Sequence, residues 1–229
     1  KWYAGETISL GIGQGYNNFT MLQLALATGV IANDGIKMKP HLVKEVVDVV
    51  TRTSRETLRE IKAEAIADPK NIAVIRNALV GVNTEGTGAT AFRGAGYVAA
   101  GKTGTAQVVA IKQNEKYNAA RMAERLRDHA LYMAFAPADK PKIALAMVVE
   151  NAGFGGAMAA PIARRVFDYW LLGQSPTPED MAAVQKGQAG PPPGAPRPPA
   201  SAASAPASAS TATPPMAAAA SAVKTQPTP

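Results

Sequence analysis

The last quarter of this sequence sets the limit on what can fold. Of the 18 prolines in the 229 residues, 11 fall at or beyond Pro191, in a stretch otherwise made almost wholly of Ala, Ser, Thr and Gly. Such a composition offers too little apolar surface to offset the entropy of ordering it. The reading places a foldable domain at 1–173 and a disordered tail at 174–229, with Gly173 as the boundary. About 170 residues then remain to build a core, enough for one domain.

Composition narrows the chemistry available to that domain. No cysteine is present, which excludes disulfides, thiolate catalysis and Cys-ligated zinc. The two histidines, His41 and His129, offer little for a metal site, and the expectation is no metal and no cofactor. The net charge of +7 suits anionic ligands. Aromatic residues are only 6% and do not interleave with the basic ones, so nucleic acid is not an expected partner. No apolar run reaches the roughly 18 residues of a membrane span.

Local signals outline the elements. Glu6-Thr7-Ile8-Ser9-Leu10 alternates like a strand and runs into a glycine-rich turn, Gly11-Ile12-Gly13-Gln14-Gly15. Thr20 and Gln23 form a capping-box pattern ahead of helical spacing from Met21 to Ile31, and Asn33-Asp34-Gly35 stops it. Residues 36–50 read as strand and 51–64 as a solvated connection. Asp68-Pro69 opens a second helix with Ile72, Ile75, Leu79 and Val82 on its apolar face. Strands are expected at 102–111, 130–135 and 142–149, with a polar helix at 118–127. A last helix at 159–172 is read with Ile162, Val166, Tyr169 and Trp170 on its apolar side. Clustered late strands with surrounding helices make this an α+β fold, an antiparallel sheet covered by helices.

Four short motifs compete. Gly96 to Thr103 satisfies the phosphate-loop pattern G-x-x-x-x-G-K-[ST], and 143–150 imitates its acidic partner strand. That reading, a nucleotide hydrolase, requires a helix to start at Lys102-Thr103, where Gly104 and the β-branched residues after it favour strand. The same residues contain Lys102-Thr103-Gly104, followed by Thr105. Strand alternation puts the Thr103 and Thr105 hydroxyls on one face, with no side chain on Gly104 between them. Two hydroxyls, an ammonium and an approachable backbone suit a carboxylate ligand. K-T-G is also an element of penicillin-binding proteins and β-lactamases. Gly11 to Tyr16 resembles a dinucleotide fingerprint, but Tyr16 stands where the last glycine belongs. Ser221-Ala222-Val223-Lys224 matches S-x-x-K by chance, within the tail, and Tyr16-Asn17-Asn18 imitates Y-x-N. Asp128-His129 reads either as an acid–base pair or as a structural cap. Arg121, Arg125 and Arg127 form a solvated face or one that meets an anionic polymer.

Longer stretches point one way. Gly5 to Tyr16 resembles the segment after the second catalytic motif of class B penicillin-binding proteins. Ala99 to Val108 is similar to their third motif and its flanks. Tyr117-Asn118-Ala119-Ala120, Glu124 to Leu131 and Ala134-Phe135-Ala136-Pro137 resemble the penicillin-binding protein 2 branch, and the likeness covers roughly residues 2–172. The resemblance implies the C-terminal half of a β-lactamase-like transpeptidase domain. It implies a serine D,D-transpeptidase that cross-links D-Ala-D-Ala stem peptides and is acylated by β-lactams. It further implies a place at the periplasmic face of the bacterial inner membrane and a SEDS-type glycosyltransferase as partner. By motif position, Lys102 and Thr105 are the catalytic residues here, and Thr103, Gly104, Thr105 and Gln107 bind substrate. The S-x-x-K nucleophile and the S-x-N element precede this stretch in the family and are not found in it here. The membrane anchor is likewise expected in a preceding part, and the isolated chain is expected to be inactive.

Overall fold

The computed structural model describes residues 2–64, 68–109 and 117–185. Its centre is a three-stranded antiparallel sheet in the order β5 (Ala100–Ala106), β6 (His129–Ala136), β7 (Ile143–Val149). Before it come α1 (Ala4–Gly11), α2 (Met21–Ala32), α3 (Pro69–Thr84) and the single turn α4 (Ala89–Phe92). After it come α5 (Gly155–Leu172) and α6 (Pro178–Gln185). Four short strands, β1 (Ile36–Met38), β2 (Glu45–Val47), β3 (Ser54–Glu56) and β4 (Ile61–Glu64), form two separate antiparallel pairs, β1 with β4 and β2 with β3.

Alternation along β6 divides the core in two. Ala130, Tyr132, Ala134 and Ala136 face α5 and pack with Phe92, Ala159, Ala160, Ala163 and Phe167. Phe135 faces the other way, with Ala100 and Ala32 and, less buried, Leu79 and Val80, under α2 and α3. The sheet is therefore covered on both faces. Alanines on α5 and β6 bring helix and sheet close together, and Phe92, Tyr132 and Phe167 fill the wider end with ring contacts.

Local signals placed several boundaries. The Thr20 hydroxyl accepts from Gln23 N–H while the Gln23 amide accepts from Thr20 N–H. Asp68 caps α3 through Lys70 N–H, with Pro69 in the first turn. Gly173 ends α5 in the left-handed region at φ 65°.

Other expectations are corrected. Residues 4–11 are helix, not strand. A strand here has no partner among the described residues, whereas Glu6 Oε2 accepts from Tyr3 N–H and closes a first turn. The connection at 51–64 holds β3 and β4, and the expected strand at 36–50 is two short ones. The polar helix at 118–127 is two 3-10 turns separated by extended Met122 and Ala123. It has no apolar stripe to pack, so nothing offsets the cost of a full helix.

The buried side of α5 is also different from the expected one. Tyr169 is 60% and Trp170 64% exposed, while Arg164, Arg165 and Asp168 are buried beside the alanines. Arg164 Nε donates to Asp168 Oδ1 at 2.7 Å and Nη1 to the carbonyls of Ala91 and Arg93. On α3 the inward residues are Ile72 and Asn83, whereas Ile75 is 47% exposed. Ordered chain continues past Gly173. Asp180 of α6 is buried and forms a two-pronged ion pair with Arg165. Residues 186–229, which hold most of the expected tail and its S-x-x-K match, lie outside the described residues.

Candidate active site

Lys102, Thr103, Gly104 and Thr105 all lie on β5, an outer strand of the sheet. The phosphate-loop reading fails on this geometry. The residues that would open a helix toward a nucleotide continue an antiparallel strand paired with β6, from Ala100 opposite Phe135 to Ala106 opposite His129.

The register decides where each side chain points. Thr103 lies opposite Tyr132 and Thr105 opposite Ala130, so both hydroxyls face α5, as alternation predicted. Lys102 lies opposite Met133 and starts from the other face. Its ammonium bends to the strand's outer edge and donates to Thr103 O at 2.7 Å.

That outer edge is also where the glycine-rich turn touches β5. Gln14 Nε2 donates to Thr105 O at 2.6 Å, and the Gln14 Oε1 contacts Gln107 N–H at 3.5 Å. Thr105 O therefore points away from β6. By the alternation of an antiparallel ladder, the N–H and C=O groups of Thr103 and Thr105 all point outward.

A groove of about 520 Å³ opens on the α5 side of β5, lined by Thr87, Thr90, Thr103, Thr105, Phe154 and the first turn of α5. Thr87 and Thr103 hydroxyls hydrogen-bond at 2.7 Å. The α5 N-terminus carries no side-chain cap, so its orphan N–H groups and dipole favour an anion there. Gly155 is what allows this approach. A Cβ on it would overlap Leu131 O and Gly104 O, and a Cβ on Gly156 would overlap Thr87 O at 2.5 Å.

Behind the strand, Tyr132 Oη donates to Asn83 Oδ1 at 2.7 Å and Asn83 Nδ2 donates to Ala99 O at 3.0 Å. Burial raises the Tyr132 phenol above its ordinary value and outweighs the Asn83 bond, so it remains a neutral donor. This pair ties α3, β5 and β6 together one step from Gly101, where a Cβ would meet the Tyr132 hydroxyl.

The remaining candidates stay apart from the groove. His129 Nδ1 accepts from Asn151 N–H at 2.9 Å and Asp128 O from Gly153 N–H at 2.8 Å, so this pair anchors the turn after β7. Asn17 Nδ2 donates to Leu10 O and Gln14 O within the glycine-rich turn, and Tyr16 Oη donates to Glu6 Oε1. His41 is exposed and contacts Val43 O. Arg121 and Arg125 are solvated. Among the described residues, no group of three or more His, Cys, Asp or Glu side chains is placed to hold a metal, and no helix is long and apolar enough to cross a membrane. Sequence reasoning missed Gln14, Thr87 and Thr90 as site residues. Only the fold brings them to β5, and the glycines around Gln14 were its sole local signal.

K-T-G is an element of penicillin-binding proteins and β-lactamases, and here it lies on the outer strand of a covered antiparallel sheet. The penicillin binding protein transpeptidase domain profile matches residues 1–168, and the chain belongs to that family. It is 44% identical over 181 residues to the peptidoglycan D,D-transpeptidase MrdA of Haemophilus influenzae, covering 78% of this chain and 28% of that protein. The chain thus spans little more than a quarter of that relative's length. Pseudomonas aeruginosa PBP2, solved in complex with WCK 5153, aligns with TM-score 0.59 and 37% identity over 75% of this chain and 33% of that one. Penicillin-binding protein A of Mycobacterium tuberculosis, solved as a penicillin G acyl-enzyme, aligns with TM-score 0.57 and 32% identity over 71% and 34%. Helicobacter pylori PBP2, solved in complex with MreC, aligns with TM-score 0.57 and 28% identity over 75% and 28%.

Proposed function

We propose that this chain supplies the substrate-holding wall of a peptidoglycan D,D-transpeptidase, and that the nucleophilic serine comes from a segment outside these 229 residues. The observation that carries this reading is the outer edge of β5. Two hydroxyls and an uncapped helix N-terminus meet at the groove, and beside it the strand's outer edge carries the lysine ammonium and outward backbone groups.

In the proposed reaction the serine attacks the D-Ala–D-Ala carbonyl, its proton passes to a base, and D-Ala leaves with a proton on its nitrogen. An amine of a neighbouring stem peptide then attacks the acyl-enzyme, forms the cross-link and releases the serine. Thr103 and Thr105 hydroxyls hold the terminal carboxylate. Lys102 attracts that carboxylate and supports proton transfer. Thr105 N–H donates to the developing oxyanion, a contact of a kind worth about 10²–10³ in rate. Gly104 and Gln107 complete the substrate-binding edge, where an extended peptide adds as a further strand. A β-lactam enters as a mimic of the dipeptide and stays as the acyl-enzyme. The likeness to peptidoglycan D,D-transpeptidases supports a site at the periplasmic face of the bacterial inner membrane, and the resemblance to the penicillin-binding protein 2 branch suggests a SEDS-type glycosyltransferase as partner. Residues 186–229 have no assigned part in the reaction.

Intact-mass measurement after incubation with benzylpenicillin tests the reading. A full-length protein carrying these residues is expected to gain one penicilloyl group, and the 229-residue chain alone none. An adduct on the chain alone would put the nucleophile inside it and overturn the assignment. A non-catalytic wall-binding module is favoured instead if peptidoglycan binding is saturable and survives Lys102→Ala with Thr103→Ala.

A further inference from the structure

The turn that carries Gln14 is built with more care than a connection between two helices needs. Gly13 and Gly15 on either side of it are both left-handed, at φ 82° and 68°, a conformation that side chains with a Cβ resist. Gln14 N–H donates to Ser9 O at 2.9 Å, and Asn17 Nδ2 donates to Gln14 O at 3.2 Å, so the backbone on both sides of the side chain is pinned. The half-buried carboxamide then reaches β5, 91 residues further along the chain.

A carboxamide carries the same donor and acceptor as a peptide group. Here it takes the position of one peptide group of a neighbouring strand, against Thr105 O and Gln107 N–H. Thr105 O can only accept, so the amide nitrogen must face it. The contact falls where β5 most needs support. Pairing with β6 ends at Ala106, and Gly104, lacking a side chain, leaves the peptide before Thr105 the freest to swing.

We infer that Gln14 is a positioning residue, which clamps the C-terminal end of the K-T-G strand and thereby fixes the aim of the Thr105 N–H toward the groove. It also occupies Thr105 O and the Gln107 N–H on the outer edge, so an added peptide strand meets Gln107 through its side chain. This inference rests on the function proposed above. Gln14 touches no reacting atom in it and acts through Thr105.

The test is acylation of the full-length protein by nitrocefin, with the binding constant Ks and the limiting rate k2 resolved by stopped flow. Gln14→Met keeps the length and loses both polar contacts; it is expected to lower k2 about tenfold with Ks and Tm near wild type, as for a misaligned oxyanion donor. Gln14→Glu loses the donor to Thr105 O while ionised and regains an O–H donor when protonated. Its k2 relative to wild type is therefore expected to recover as the pH falls from about 6 through the ordinary glutamate range near about 4. Wild-type protein that is not acylated overturns the functional reading itself. Acylated wild type with k2 unchanged in Gln14→Met, or with k2 and Ks worsening together as Tm drops, overturns the role of Gln14 alone. So does a flat pH ratio for Gln14→Glu, or failure of both variants to fold, which would make the turn purely structural.

Discussion

The β5–β7 sheet with α5 and the α1 segment with its turn are built on opposite terms. In the first, Tyr132, Phe135 and Phe167 are fully buried and held between layers. In the second, α1 buries no residue, and Ile8 and Ile12 are 73% and 74% exposed. Yet both meet at one strand. The sheet gives β5 its rigidity from behind, and the exposed turn touches its outer edge through Gln14. Burial behind the strand and contact at its outer edge therefore come from different parts of the chain. A packed core backs the K-T-G strand, and an exposed turn contacts its outer edge.

Substitutions separate the two regions, starting with the largest effect. Phe167→Ala removes a fully buried ring and is expected to cost about 3–5 kcal/mol in urea unfolding. Ile12→Ala on the exposed side is expected to change stability by no more than about 0.5 kcal/mol. A large loss at Ile12 would make the α1 segment part of the core and erase the contrast. Asp180→Ala leaves Arg165 buried without its carboxylate, with an expected cost of about 3 kcal/mol in the same measurement. A neutral result would show that α6 is not docked on α5.

Smaller changes refine the comparison. Tyr132→Phe removes the buried hydroxyl and leaves Asn83 Oδ1 unsatisfied, an expected loss of about 1–2 kcal/mol by thermal unfolding. The smallest effect lies on the surface. Hydrogen bonds from Lys62 and then Lys39 lower the Glu60 carboxyl from its ordinary value to about 2. A lowered folded-state value means that its contribution is present at neutral pH and is lost as the pH falls from the ordinary carboxyl range toward 2. NMR titration of Glu60 is expected to show that low midpoint, with the Lys39 contact beside the β1–β4 pair loosening below it. A midpoint near 4.5 would mean that the lysine contacts are not formed in solution.

What could be read from the sequence was what is decided locally. Thr20 with Gln23, Asp68 with Pro69, and Gly173 each satisfy backbone groups within a few residues, and each marked a true boundary. The facing of Thr103 and Thr105 followed from strand alternation alone. The buried side of α5 was not legible, because helical spacing and large rings pointed to Tyr169 and Trp170 over the small Ala160 and Ala163. A close helix–sheet approach selects by size, and Arg164 and Asp168 are tolerated there because their polar atoms find partners, each other among them. Residues 4–11 carried alternation without a strand to pair with, so helix satisfied their backbone instead. Gln14, Thr87 and Gly155 reach the site through contacts across the fold, which no local pattern encodes.

The most direct measurement is the rate of covalent benzylpenicillin attachment to the full-length protein, compared with the same protein carrying Thr103→Val. Valine keeps the shape and the strand and removes one hydroxyl from the groove beside the α5 N-terminus. A fall in acylation of about tenfold or more, with unfolding unchanged, is the expected result for a hydroxyl that holds the carboxylate. Acylation at the wild-type rate would contradict the placement of the substrate on the outer edge of β5.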